Sequence, residues 1–140
     1  MTRTNDWLSD KLAHLWRTYF ADVPKPNDVY VRFGRKSRAR LGSILAEKAG
    51  ELKGASIITI SGYMRDQTVP DYVVEAVLAH ELCHYTHGFH SPLKRLCRYP
   101  HQGGIVGIEL TKRGLGDTMR AEKRWIKANW ESVTRKENNA

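Results

Sequence analysis

His80-Glu81-Leu82-Cys83-His84-Tyr85-Thr86-His87-Gly88-Phe89-His90 is the stretch on which the reading of this chain turns. Its first five residues form an HExxH pattern, and a further histidine, His90, follows six residues after His84. On an α-helix, residues four apart project from the same side, so His80 and His84 can grip one ion. Glu81 between them is the residue type that takes a proton from water activated by a metal. Shuffling this composition gives an HExxH in roughly one chain per hundred, and a histidine at the His90 spacing lowers that by a further factor of about 35. The pattern points to a metal site rather than to a surface helix that happens to carry histidines.

The flanks fit a helix. Val69-Pro70-Asp71 opens it, with proline suited to the first turn and aspartate to the positive helix end. Val74, Leu78, Leu82 and Tyr85 recur as one apolar stripe, while Val73, Val77, His80, His84 and His87 share another face. The two faces point roughly opposite ways, which predicts a helix buried on both sides, one in the core and one lining a site. Gly88 follows as a helix stop, and the chain can then turn back to bring His90 to the metal. His87 is the rival ligand, but three ligands along one helix ridge do not readily surround an ion tetrahedrally, so His90 is preferred. A His-His-Glu site completed by Glu109 or Glu122 is the other alternative. Cys83 reads as a buried helix residue, because a free cysteine behaves as a small hydrophobe.

The segment from His80 to Ser91 resembles the active-site segment of SprT-like zinc metallopeptidases, and is most similar to the YgjP-type branch, where HExxH is followed by a His-Ser pair at this distance. Upstream, Arg38-Ala39-Arg40-Leu41-Gly42-Ser43, then 55–61, then Val69-Pro70 follow the order of that group. The resemblance spans residues 28–92. It implies an α+β, zincin-like fold, with a small, mostly antiparallel sheet packed on the HExxH helix and flanking N- and C-terminal helices. It also implies zinc held by His80, His84 and His90, with Glu81 as general base in peptide hydrolysis. The chain departs from the branch at Ser91-Pro92-Leu93-Lys94, where an aromatic pair often stands, and at 99–104, a Gly-rich piece peculiar to this sequence. The spacing is also that of metzincins, but His87 stands where those have glycine.

The mechanism expected of such a site has zinc lowering the pKa of water and polarising the scissile carbonyl, with Glu81 shuttling the proton to the leaving amine. Tyr99, His101 and Tyr63 are candidate donors to the developing oxyanion.

The remaining 1–140 reading is of a single domain with a real core. Residues 5–21 read as an amphipathic helix, 29–33 and 41–46 as strands, 50–54 as a turn and 56–61 as a β-rich third strand. The third strand is the candidate edge for adding a substrate peptide. Residues 92–98 read as a short basic helix, 105–110 as a strand or a helix start, and 117–134 as a last helix with Met119, Ile126, Trp130 and Val133 on its apolar face. The tail from Arg135 reads as frayed. With two cysteines, no transmembrane run and a polar, charged N-terminus, a cytoplasmic protein without a disulfide framework is expected.

The formal net charge is +8. Residues 1–90 carry 12 Lys+Arg and 10 Asp+Glu, and residues 91–140 carry 11 and 5, so most of the excess is C-terminal. A second cluster is Arg32, Arg35, Lys36, Arg38 and Arg40. Such patches attract phosphate backbones or acidic proteins. Nucleic acid is therefore a candidate partner beside a protein or peptide substrate, with no membrane partner. The competing function is a metal-stabilised nucleic-acid or protein binding module without catalysis.

Overall fold

The computed structural model describes residues 2–138. Helix α1 (Asn5–Tyr19) leads to strands β1 (Val29–Phe33), β2 (Gly42–Ala46) and β3 (Ser56–Ile60). A 3-10 turn (Gly62–Arg65) precedes helix α2 (Asp71–Thr86), a second (Gln102–Gly104) precedes α3 (Ile105–Lys112), and α4 (Gly116–Asn138) follows. The architecture is α+β.

The strand order is β1-β3-β2, with β1 parallel and β2 antiparallel to β3. The sheet is therefore mixed, not mostly antiparallel, and β3 is its centre, not its edge. The reason is legible in burial: β3 is buried at four of its five residues, whereas β1 and β2 alternate or stay half-exposed. As the central strand, β3 turns Ile58 and Ile60 into the core on one face, while on the other Ile57 is buried and Thr59 half-exposed. Gly50 (φ 78°) and Gly54 (φ 91°) make the turn that returns the chain from β2 to β3.

Helix α1 starts at Thr4, whose side chain accepts from the Trp7 amide, and buries Leu8, Leu12 and Leu15. Arg3, just before it, is buried and donates to the carbonyls of Met64 (2.9 Å) and Val69 (2.5 Å) and to Asp71 Oδ1 (2.8 Å). One guanidinium thus ties the N-terminus to the entrance of α2. That helix is buried all round, as its two-faced pattern predicts: Val74, Leu78, Leu82 and Tyr85 are fully buried on one side, and Val73, Val77, His84 and His87 are buried on the other.

Further along, residues 92–98 are irregular rather than helical, and 105–110 fall in α3. Pro92 and the bond from Leu96 N to His87 O (3.0 Å), just past the end of α2, account for the first. Helix α4 runs past Arg135 to Asn138 instead of fraying there. Its Trp130 stacks edge-on against Tyr63 at 5.9 Å and donates from Nε1 to Arg38 O (2.8 Å), which docks the helix against the first 3-10 turn and the β1–β2 loop.

Candidate metal centre

The face of α2 opposite the Val74–Leu78–Leu82 stripe carries His80, half-buried, and His84, buried, one turn apart, with ring centroids at 4.8 Å. A third imidazole completes the group: His101, whose ring lies 4.7 Å from His84 and 5.2 Å from His80. One nitrogen of each of His80, His84 and His101 lies within 4.8 Å of the others, so the three could hold one metal ion. His80 Nε2 and His101 Nε2 approach to 3.0 Å, close enough for one to donate to the other when a proton is present. His84 Nδ1 is buried and has no hydrogen-bond partner. A buried, unpaired imidazole nitrogen is costly, and three convergent imidazoles suit zinc and other borderline divalent ions.

Electrostatics keep His80 and His84 in their ligating form. Burial, and then the neighbouring His101 and Lys123, push the His80 pKa down to about 4. Burial and the surrounding imidazoles push His84 down to about 3. Both rings are neutral at pH 7, as ligation requires. Glu81, almost fully buried, is pushed up to about 7 by burial, with Arg40 opposing.

The loop after α2 explains how His101 arrives. Gly88 (φ 83°) ends the helix, and a side chain there would strike the backbone of Lys94 and Arg95 at 2.5 Å. Leu96 N donates to His87 O (3.0 Å), so the loop is pressed against the helix end. Gln102 Oε1 accepts from the amides of Arg98 and Tyr99, and Gly103 and Gly104 take left-handed conformations that turn the chain into α3. His101 is left facing the α2 histidines.

His90, the expected third ligand, is not brought into this group. It adopts φ 54°, in the left-handed region. Its Nδ1 accepts from the Ala46 amide (3.3 Å), and its carbonyl accepts from Ser56 Oγ (2.6 Å). Ser56 also takes a hydrogen bond from Asn27, which in turn accepts from Tyr85 OH (2.6 Å). Ser91 Oγ donates to Tyr85 O (2.8 Å) and so caps α2. In this structure the His-Ser pair fastens the helix end to the sheet.

The alternatives are engaged elsewhere or stand apart. His87 is fully buried and pairs with Glu109 at 3.0 Å. Glu109 also holds Arg113 at 2.8 Å; burial raises its pKa, but these partners outweigh it and the carboxyl lies below its ordinary value. Glu122 lines the cleft beside His80 but lies outside the histidine group, and burial raises its pKa. Cys83 is buried, and that burial raises its thiol pKa. Of the candidate oxyanion donors, Tyr63 is a core residue, Tyr99 is exposed, and His101 belongs to the histidine group.

Beside the group lies a cleft of about 520 Å³. Its walls are Arg40, Leu41 and Gly42 at the start of β2, Val77, His80 and Glu81 on α2, and Glu122, Lys123 and Ile126 on α4. A Cβ on Gly42 would sit 2.8 Å from Val77 Cγ1 and 3.2 Å from Glu81 Oε2, so the strand and the carboxylate touch only because residue 42 has no side chain. The phase of β2 is fixed by Ser61 N→Leu41 O and Glu47 N→Ala55 O. Odd-numbered residues therefore bond to β3, and Gly42 and Ile44 turn their backbone groups outward.

No family model, curated protein or solved structure matches this chain.

Proposed function

We propose that the protein is a zinc-dependent metallopeptidase of the SprT-like, zincin-like kind, with His80, His84 and His101 as ligands and Glu81 as general base. The observation that carries this is the arrangement of Glu81: a buried carboxyl on the ligand helix, between two neutral histidines and at the floor of an open cleft. A purely structural site has no need of such a group. A zinc ion held by three imidazoles would supply Lewis acidity and lower the pKa of water at the site.

The chain's own residues do the rest. Glu81, with a pKa near that of the medium, is matched to accept a proton from water and return it to the leaving amine. The outward groups of Gly42 and Ile44 suit an extended peptide added to β2, the edge strand, in place of the central β3. The burial of His84 and Glu81 keeps bulk water from screening the reaction.

Elemental analysis of protein purified without added metal tests the site. About one zinc per chain is expected, lost in His101→Ala and kept in His90→Ala. The reverse pattern would return the third position to His90. Hydrolysis of a denatured protein substrate should fall at least about 1000-fold in Glu81→Gln with zinc retained. Activity unaffected by that change would sink the catalytic reading.

One observation favours a second reading, a binding module for nucleic acid. Arg35, Arg40, Ser37, Ser43, Thr59 and Ser61 line a polar pocket of about 450 Å³ on the outer face of the sheet, and it shares Ala39 and Arg40 with the cleft. Binding of labelled single-stranded DNA should weaken steeply with salt, and removing both arginines should lower the log–log slope by about 1.4. Salt-independent binding, or none, would discard this reading.

A further inference from the structure

The opposite edge of the sheet carries a second groove, unconnected with the metal centre. It has a volume of about 380 Å³ and runs between α1 and β1. Its apolar walls are Leu12, Ala13 and Trp16 from the helix and Val29 and Val31 from the strand. Its polar members are Ser9, Arg17 and Lys25; the lining contains two cations and no carboxylate.

The strand in this groove is an open edge. Ser56 N donates to Asp28 O (2.9 Å) and Gly34 N to Ile60 O (2.8 Å), and the parallel register runs from Val29↔Ser56 to Phe33↔Ile60. In a parallel pair alternate residues bond to the neighbour, so Tyr30 and Arg32 face β3. Val29, Val31 and Phe33 therefore turn their N–H and C=O groups away from the sheet, towards α1. Phe33 N–H is taken by Asn5 Oδ1 (2.9 Å), which closes that end of the groove. Among the described residues the outward backbone groups of Val29 and Val31 have no protein hydrogen-bond partner, and the groove beside them gives access to water or to an incoming strand.

The floor is also rigid. Trp16 donates from Nε1 to Val23 O (3.0 Å) and packs edge-on against Tyr85 at 5.2 Å. Lys25 Nζ lies 5.7 Å from the Trp16 ring centroid, and Lys25 and Arg17 are exposed at the rim. A fixed aromatic beside an open strand costs little ordering when a ligand docks.

We infer that this groove binds an extended, acidic segment of a partner protein, which adds to the sheet as a fourth strand beside β1. Hydrogen bonds to Val29 and Val31 would hold its backbone. Apolar side chains at alternate positions would enter between Trp16 and Val31, and carboxylates would meet Arg17 and Lys25. The inference is independent of the catalytic reading, since the groove and the cleft lie at opposite edges of the sheet.

The test uses the 140-residue chain and two synthetic, end-capped hexapeptides, alternating Glu-Val and alternating Lys-Val. Backbone NMR should show Val29 and Val31 amide exchange slowed about tenfold or more by the acidic peptide. The lysine peptide should bind about tenfold more weakly at low salt. The exposed double change Arg17→Glu with Lys25→Glu should reverse that preference. Unchanged exchange at Val29 and Val31 under millimolar acidic peptide would overturn the inference. So would equal binding of both peptides, or shifts confined to Gly42 and Ile44 at the other edge.

Discussion

At the scale of single residues, the site is a set of groups whose protonation the fold has moved apart. For His80 and His84 the folded pKa lies below the unfolded value near 6.5, so an unfolded chain binds more protons. Their stabilising contribution is present above about pH 6.5 and is lost as pH falls through about 4. Glu81 has the opposite sign. Its folded pKa of about 7 exceeds the unfolded 4.5, so its contribution is present below pH 4.5 and lost as pH rises through 7. Chemical denaturation of the metal-free protein between pH 4 and 8 should therefore show stability climbing towards pH 6.5 and then dipping. In Glu81→Gln the dip should vanish, leaving the variant more stable than wild type at pH 8 by on the order of 3 kcal/mol. A variant less stable than wild type at pH 8 would mean that Glu81 gains more from its surroundings than burial costs it.

At the scale of elements, the close approach of β2 to α2 sets the shape of the cleft. Gly42 is where they meet, and its missing side chain leaves Glu81 its room. Gly42→Ala would push on Val77 at 2.8 Å and on the carboxylate at 3.2 Å. The expected result is about 1–3 kcal/mol of lost stability and at least a tenfold fall in hydrolytic kcat/KM, with zinc content unchanged, because neither histidine is touched. Thermal melts, elemental analysis and rates on the same preparation read all three. Zinc lost together with activity would show that the strand supports the ligands as well as the base. The pairing of β2 at a sheet edge also bears on His90. By accepting from Ala46 N, this residue occupies the last outward amide of the strand. An added peptide strand would then have only Gly42 and Ile44 to pair with.

At the scale of the whole molecule, the three histidines join α2 to the loop before α3, so an ion bound there would stabilise the native chain alone. Zinc at a hundred times its Kd should add about 2.7 kcal/mol and raise Tm by several degrees, an increment absent in His101→Ala. Equal melting with zinc and with chelator would leave the triad without a metal role. The sequence by itself determined the HExxH helix, its burial on both faces, the Gly88 stop, the three strands and the amphipathic α1 and α4. These are encoded locally, in the period of the apolar residues and in glycine and proline at their ends. In the sequence, His101 stands out only as a candidate oxyanion donor, not as a member of the histidine group. Only the tertiary structure decided that β3 is central, that the sheet is mixed, and that His101 rather than His90 joins His80 and His84. Strand order follows from how the whole core closes, and no periodicity reports it. The third histidine depends on a loop pressed against the end of α2 by backbone hydrogen bonds, and on Ser56 and Ala46 holding His90 at the sheet, contacts that spacing along the chain does not encode.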